Sequence, residues 1–128
     1  MLKLIHVEDE PDILELAKMS LELTEDFEVS SCACGEEALA EVRNFVPDVL
    51  LLDVMMPGMS GPETLENLRK IPGLETVPAI FMTARVGAAA WTELYKLEVQ
   101  GMIAKPFDPM ILGAQIKGMM KGKLPSLV

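Results

Sequence analysis

Short apolar runs of strand type alternate with longer segments of helical periodicity, five times along the chain. The first run, LKLIHV (2–7), precedes a segment from Pro11 to about Leu23 whose Ile13, Leu14, Leu16, Ala17 and Leu21 mark one apolar side. FEVSS (27–31) precedes GEEALAEVRNF (35–45), where Ala38, Leu39 and Val42 have helical spacing. DVLLLDV (48–54) is apolar on both faces, as a strand covered from both sides must be. A Gly/Pro/Met loop follows, then PETLENLRK (62–70), with Pro62 placed at the first helical position. PAIFMT (78–83) precedes GAAAWTELYKLEV (87–99), and GMIA (101–104) precedes PMILGAQIKGMMKG (109–122).

Strict strand–helix alternation with short connections predicts an α/β fold. Its core is a doubly wound parallel five-stranded sheet, (βα)5, with helices on both faces through right-handed crossovers. No repeat, low-complexity tract or Ser/Gly-rich linker marks a domain boundary. The last helix is the weakest element, since Gly113, Gly118 and Gly122 each cost it about 1 kcal/mol relative to Ala. Its end, from about Gly122, is expected to fray.

Composition narrows the function. The 128 residues are 50% apolar and 24% charged, which is a folded composition with a core of its own. No uncharged apolar run reaches the roughly 18 residues of a membrane span, and the N-terminus turns acidic too early for a signal peptide. A cytoplasmic protein is expected. The net charge is −9, with 3 basic and 15 acidic side chains in residues 1–64 against 8 and 5 in residues 65–128. That balance repels phosphate backbones and argues against direct nucleic-acid binding. Cys32 and Cys34 have no second ligand pair nearby and read as ordinary reduced thiols.

In an open parallel sheet, ligands sit outside the carboxyl ends of the strands. The first strand ends in Glu8, Asp9 and Glu10, the third in Asp53, the fourth in Thr83, and the fifth leads into Lys105-Pro106. Carboxylates, a hydroxyl and an ammonium therefore converge on one rim. Two like charges about 4 Å apart cost on the order of 4 kcal/mol at an effective dielectric of 20. Either one carboxyl is protonated or a hard cation is bound, and oxygen-only ligands favour Mg²⁺, with Mn²⁺ second. A carboxylate beside a divalent metal, a lysine and a hydroxyl suits a phosphoryl group, with the carboxylate as nucleophile.

The residues VEDEP, DVLLLDVMMPGMSG, FMTA and IAKPF, in that order, resemble a response-regulator receiver domain of the chemotaxis type. Asp9 to Asp53 is 44 residues, Asp53 to Thr83 is 30 and Thr83 to Lys105 is 22, which also fits. The resemblance covers residues 2 to about 121, so we expect a receiver domain over 1–122 and a short tail over 123–128. It implies a flavodoxin-like sheet of order 2-1-3-4-5. It further implies that Asp53 is the phosphoacceptor, and that Asp9, Asp53 and the backbone carbonyl of Met55 are direct Mg²⁺ ligands. Glu8, where the family usually has Asp, would hold the metal through water. Thr83 would hydrogen-bond the phosphoryl oxygen, and Lys105 would pair with it across a cis bond to Pro106. Ala84 would leave room for the group, and Met55 and Arg85 would tune its lifetime.

Met102 departs from the family, which usually places Tyr or Phe there to turn inward as the switch is thrown. Met repacks but has no ring to report the change. The implied partners are a sensor histidine kinase or histidine phosphotransfer protein, and a downstream protein on the face of the fourth helix, fifth strand and fifth helix. Trp91, Leu94, Tyr95 and Glu98 on the fourth helix, and Met102, Met110, Met119 and Met120, are candidates for that face. Homodimerisation is a further possibility. His6, inside the first strand, reads as a packed, hydrogen-bonded core histidine and not as a relay residue.

Nothing after residue 121 offers an output domain, so the chain reads as a stand-alone receiver or as the receiver part of a longer protein. Its only enzyme-like chemistry would be self-catalysed phosphotransfer and dephosphorylation. The alternative is an adaptor that keeps the fold and has abandoned the switch. A haloacid-type phosphatase is disfavoured, because Met55 stands where a second acid would follow Asp53 by two residues.

Overall fold

A computed structural model describes residues 1–84 and 88–121. The elements alternate as the apolar pattern predicts: β1 (Leu2–Val7), α1 (Pro11–Glu22), β2 (Phe27–Cys32), α2 (Gly35–Glu41), β3 (Val49–Asp53), α3 (Gly61–Leu68), β4 (Ala79–Thr83), α4 (Ala88–Tyr95), β5 (Gly101–Ala104) and α5 (Leu112–Met120). The strands form one parallel sheet of order β2-β1-β3-β4-β5. Val7 pairs with Leu52, Asp53 with Met82, and Thr83 with Ala104, so the carboxyl ends of the four central and right-hand strands finish on one rim.

Alternation along each strand divides the core into two layers. Ile5, Val7, Leu50, Leu52, Ala79, Phe81 and Met102 pack with Ala38, Val42, Leu65, Leu68 and Leu94, from the α2–α3–α4 side. Leu4, Val49, Leu51, Ile80, Met82 and Ile103 pack with Ala17 and Leu21 of α1 and with Leu112, Ile116 and Met120 of α5. Every residue of β3 and β4 is buried. Each large apolar side chain so buried contributes roughly 1.5–3 kcal/mol, which fixes the sheet as the platform for the rim.

Helix boundaries are shorter than the periodicity predicts. The 35–45 segment stops being helical at Glu41, whose carbonyl then accepts both the Asn44 and Phe45 N–H groups at 2.9 Å. Pro47 follows, and the residue before a proline disfavours the helical region. The 87–99 segment ends at Tyr95, because the Leu97 and Glu98 N–H groups bond three residues back and Glu98 is left-handed, with φ 57°. Glu98 therefore lies in the loop before β5 and not on α4. Arg69, which ends α3, donates to the carbonyls of Leu97, Val77 and Glu98 and so ties that loop down. At the 109–122 segment, the Asp108 side chain and carbonyl accept the Met110, Ile111 and Leu112 N–H groups, so a turn precedes the helix. Pro62 sits second, after Gly61, and not first; Ser60 is the cap.

The helix α5 runs through Gly113 and Gly118, held by its buried Leu112, Ile116 and Met120 at four-residue spacing. The expected fraying from Gly122, the tail over 123–128 and the role suggested for Arg85 lie outside the described residues. The late methionines divide: Met102 and Met120 are core, Met119 packs against the second layer, and Met110 is 90% exposed. Trp91 packs against the first layer, Leu94 is buried and Tyr95 is 46% exposed.

Candidate functional site

The rim is built from loops that leave the strand ends under tight backbone control. The Glu8 N–H donates to Cys32 O at 3.0 Å, extending the β1–β2 ladder by one residue, so Glu8 is wholly buried while Asp9 beside it is exposed. At the end of β3, Val54 N–H donates to Met82 O and Gly61 N–H donates to Val54 O. The loop thus doubles back so closely that a Cβ at Gly61 would collide with the Asp53 carbonyl oxygen. A capping box holds this return. The Ser60 hydroxyl accepts the Glu63 N–H at 3.2 Å, and the Glu63 carboxylate accepts the Ser60 N–H at 3.0 Å.

These constraints bring Glu8, Asp9, Asp53 and Lys105 together. The three carboxylates offer oxygens all within 4.8 Å of one another. Lys105 Nζ lies 2.6 Å from Glu8 Oε1 and 3.1 Å from Asp53 Oδ1. The second Glu8 oxygen accepts the Glu10 N–H at 3.2 Å. Thr83 is buried at the end of β4, and its carbonyl accepts the Lys105 N–H at 2.9 Å, so the two residues are joined through the backbone. The Lys105–Pro106 peptide bond is cis, as the resemblance implies. Ala84 is exposed, and Met55 lies in the loop after Asp53 with its side chain 66% exposed.

Burial dominates the titration of this cluster. It raises Glu8 to about 7, with the Lys105 hydrogen bond opposing and the Asp53 charge adding. Burial also holds Asp53 above the ordinary carboxylate range, against the pull of Lys105. Lys105 is lowered by burial, but its hydrogen bonds to Glu8 and Asp53 outweigh that and leave it raised. Three carboxylates against one ammonium leave an unbalanced negative charge. The oxygen-only donor set, open to solvent on the Asp9 side, fits a hard divalent cation such as Mg²⁺.

His6 differs from the expectation. It is buried, as foreseen, but neither ring nitrogen has a hydrogen-bond partner among the described residues. It shares the strand face of Leu4, which packs in the second apolar layer. Burial, and then the Lys105 charge, lower it to about 3, so the ring is neutral. Cys32 and Cys34 are free thiols, and burial pushes Cys32 up to about 12. Two contributors to the site escaped the sequence reading. Ser60-x-x-Glu63 was legible as a capping box; the close approach at Gly61 left no signal beyond the glycine itself.

The family model described as the response regulator receiver domain matches residues 4–117. The phosphate regulon transcriptional regulatory protein PhoB of Rhizobium meliloti is 34% identical over 126 residues, covering 98% of this chain and 55% of its own length. The response regulator Rre1 of Synechocystis is 30% identical, covering 93% and 52%. The chain thus spans about half the length of the curated relatives it matches. Among solved structures, the chemotaxis response regulator CheY4 of Vibrio cholerae superposes with a TM-score of 0.85 at 28% identity, over 93% of this chain and 98% of that one.

Proposed function

The chain belongs to the response regulator receiver domain family, and from that premise we propose that it is a phosphoacceptor of a two-component or phosphorelay system, modified at Asp53. The observation that carries the reading is Lys105 Nζ, 3.1 Å from Asp53 Oδ1, within a rim that also gathers Glu8 and Asp9. A carboxylate of raised proton affinity, next to a fixed ammonium, is placed to act as the nucleophile toward phosphorus.

The Asp53 oxygen attacks the phosphorus of a histidine phosphoramidate. A P–O bond forms as the P–N bond breaks, and the imidazole leaves. Asp9, Asp53 and the Met55 carbonyl would hold Mg²⁺, with Glu8 alongside; when bound, the ion supplies charge neutralisation to the phosphoryl oxygens. Lys105 provides the second positive charge, fixed in place before the donor arrives. Thr83 supplies a hydroxyl for a phosphoryl oxygen. Hydrolysis by water returns the free carboxylate, so the protein's own catalysis is confined to gaining and losing the group. The donor is a sensor histidine kinase or a histidine phosphotransfer protein in the cytoplasm. The output is a downstream protein or a second copy, engaged through the face of α4, β5 and α5, where Tyr95 is exposed. The receiver spans 1–122, with the tail after it.

The test is intact mass after incubation with Mg²⁺ and acetyl phosphate, beside Asp53→Asn and a metal-free control. One phosphoryl adduct that requires both Mg²⁺ and Asp53 is expected. No adduct on a folded protein would overturn the reading in favour of an adaptor that works without phosphorylation.

A further inference from the structure

The sheet has two edges, and they are finished differently. β5 has only four residues, whereas β2 has six, as many as the internal β1. A strand of that length at an edge offers a row of unpaired backbone groups to any further strand. In the parallel β1–β2 ladder, Leu2 N–H donates to Asp26 O and Glu8 N–H donates to Cys32 O. The even-numbered residues of this segment therefore turn their backbone groups toward β1, and the odd-numbered Phe27, Val29 and Ser31 turn theirs outward. Val29, the central one, is nonetheless satisfied twice. Its N–H donates to Glu22 Oε2 at 3.0 Å, and its carbonyl accepts from Lys18 Nζ at 3.1 Å. Both side chains come from α1, four residues apart and so on one face of that helix. Just past the strand, the Ala33 N–H donates to Glu37 Oε1 at 2.8 Å.

An acceptor on the N–H and a donor on the carbonyl of one residue are what a sixth strand would bring. We propose that Lys18 and Glu22 take the place of that strand and close the β2 edge against a second copy of this chain. A second β2 fits the edge once it is open. Paired antiparallel about Val29, two copies would exchange both hydrogen bonds between their Val29 residues, in one self-complementary contact. That register sets Glu28 opposite Ser30 and Phe27 opposite Ser31, so no like charges face each other across it. The α1 pair occupies the two central bonds and stands a carboxylate and an ammonium in the path of an incoming strand, which would have to displace both. Self-association is thereby left to other surfaces, the face of α4, β5 and α5 at the opposite edge among them.

The test is sedimentation velocity on the full chain over a wide concentration range, with amide exchange read by NMR on the same samples. The Lys18→Ala/Glu22→Ala double variant is expected to self-associate at least about tenfold more tightly than wild type. Its Val29 amide should exchange fast when dilute. As concentration rises, protection should return at Val29 and appear at Phe27 and Ser31. Two controls are expected to match wild type. Glu66→Ala/Lys70→Ala removes one exposed charge of each sign elsewhere, and Lys18→Arg/Glu22→Gln keeps a donor and an acceptor at Val29. A double alanine variant no more associated than wild type overturns the proposal. So does tighter association that leaves the Phe27 and Ser31 amides unprotected, because it runs through another surface. Equal association of the Glu66→Ala/Lys70→Ala control overturns it too, since loss of charge alone then suffices. Should the double variant fail to fold, the single Glu22→Ala decides, since it uncovers only the Val29 N–H. Its Val29 amide is expected to exchange at least about tenfold faster than in wild type. Exchange at the wild-type rate would show that the cover does not hold in solution, and the proposal would fall.

Discussion

Two buried ionisable residues, two positions apart on the same strand and loop, pull the stability of this protein in opposite directions with pH. The folded-state pKa of His6 is about 3 against an ordinary 6.5, so between those values only the unfolded chain takes up the proton. Its contribution is intact above about 6.5 and is lost as the pH falls toward 3. Glu8 is raised from 4.5 to about 7, so its contribution is fully present below 4.5 and is lost as the pH rises through 7. In metal-free buffer, His6→Leu is therefore expected to flatten the loss of stability on the acid side, measured by urea unfolding at pH 4 and pH 7. It should leave stability at pH 7 unchanged or higher, because it removes two buried nitrogens with no partner among the described residues. Such groups cost about 1–3 kcal/mol each. An unchanged acid slope would show that His6 gains a partner or a proton in solution.

At the scale of elements, the β3–α3 return sets the geometry of the rim. Ser60→Ala removes one half of the capping box and is expected to cost about 1 kcal/mol, read from the urea midpoint. Gly61→Ala should cost more and also weaken Mg²⁺ binding, because the new methyl displaces the Asp53 carbonyl. Equal effects of the two variants on Mg²⁺ would separate the loop from the site. How much was legible beforehand follows the same division. The doubly apolar VLLLD run and the alternation around it specified the sheet, and strand ends specified the carboxylates, because a parallel sheet leaves only that edge for polar groups. Helix ends were not legible where tertiary bonds decide them. The Asp108 turn, the left-handed Glu98 and the Arg69 tie to Val77, Leu97 and Glu98 all depend on partners distant in sequence or on local backbone choice. The unpartnered ring of His6 was invisible for a related reason: burial follows from periodicity, whereas the partner of a polar group does not.

The whole molecule is one five-stranded sheet with an apolar core layer on each face and an acidic rim, and its charge of −9 falls mainly in the half that carries Glu8, Asp9 and Asp53. A cation bound only by the folded state stabilises it by mass action, by about 2.7 kcal/mol at a concentration 100 times Kd. Mg²⁺ is thus expected to raise Tm in a way that a chelator reverses and that Asp53→Asn diminishes. An equal rise in wild type and variant would place the cation elsewhere on the acidic surface. Among the described residues no helix is long and apolar enough to cross a membrane. All of this depends on the chemistry of one carboxylate. The most direct test is to locate the modification: after acetyl phosphate and Mg²⁺, borohydride reduces an aspartyl phosphate to homoserine, which peptide sequencing by mass spectrometry identifies. Homoserine at position 53, absent without Mg²⁺, is the predicted result; aspartate unchanged at 53, or homoserine at another acid, would contradict the account.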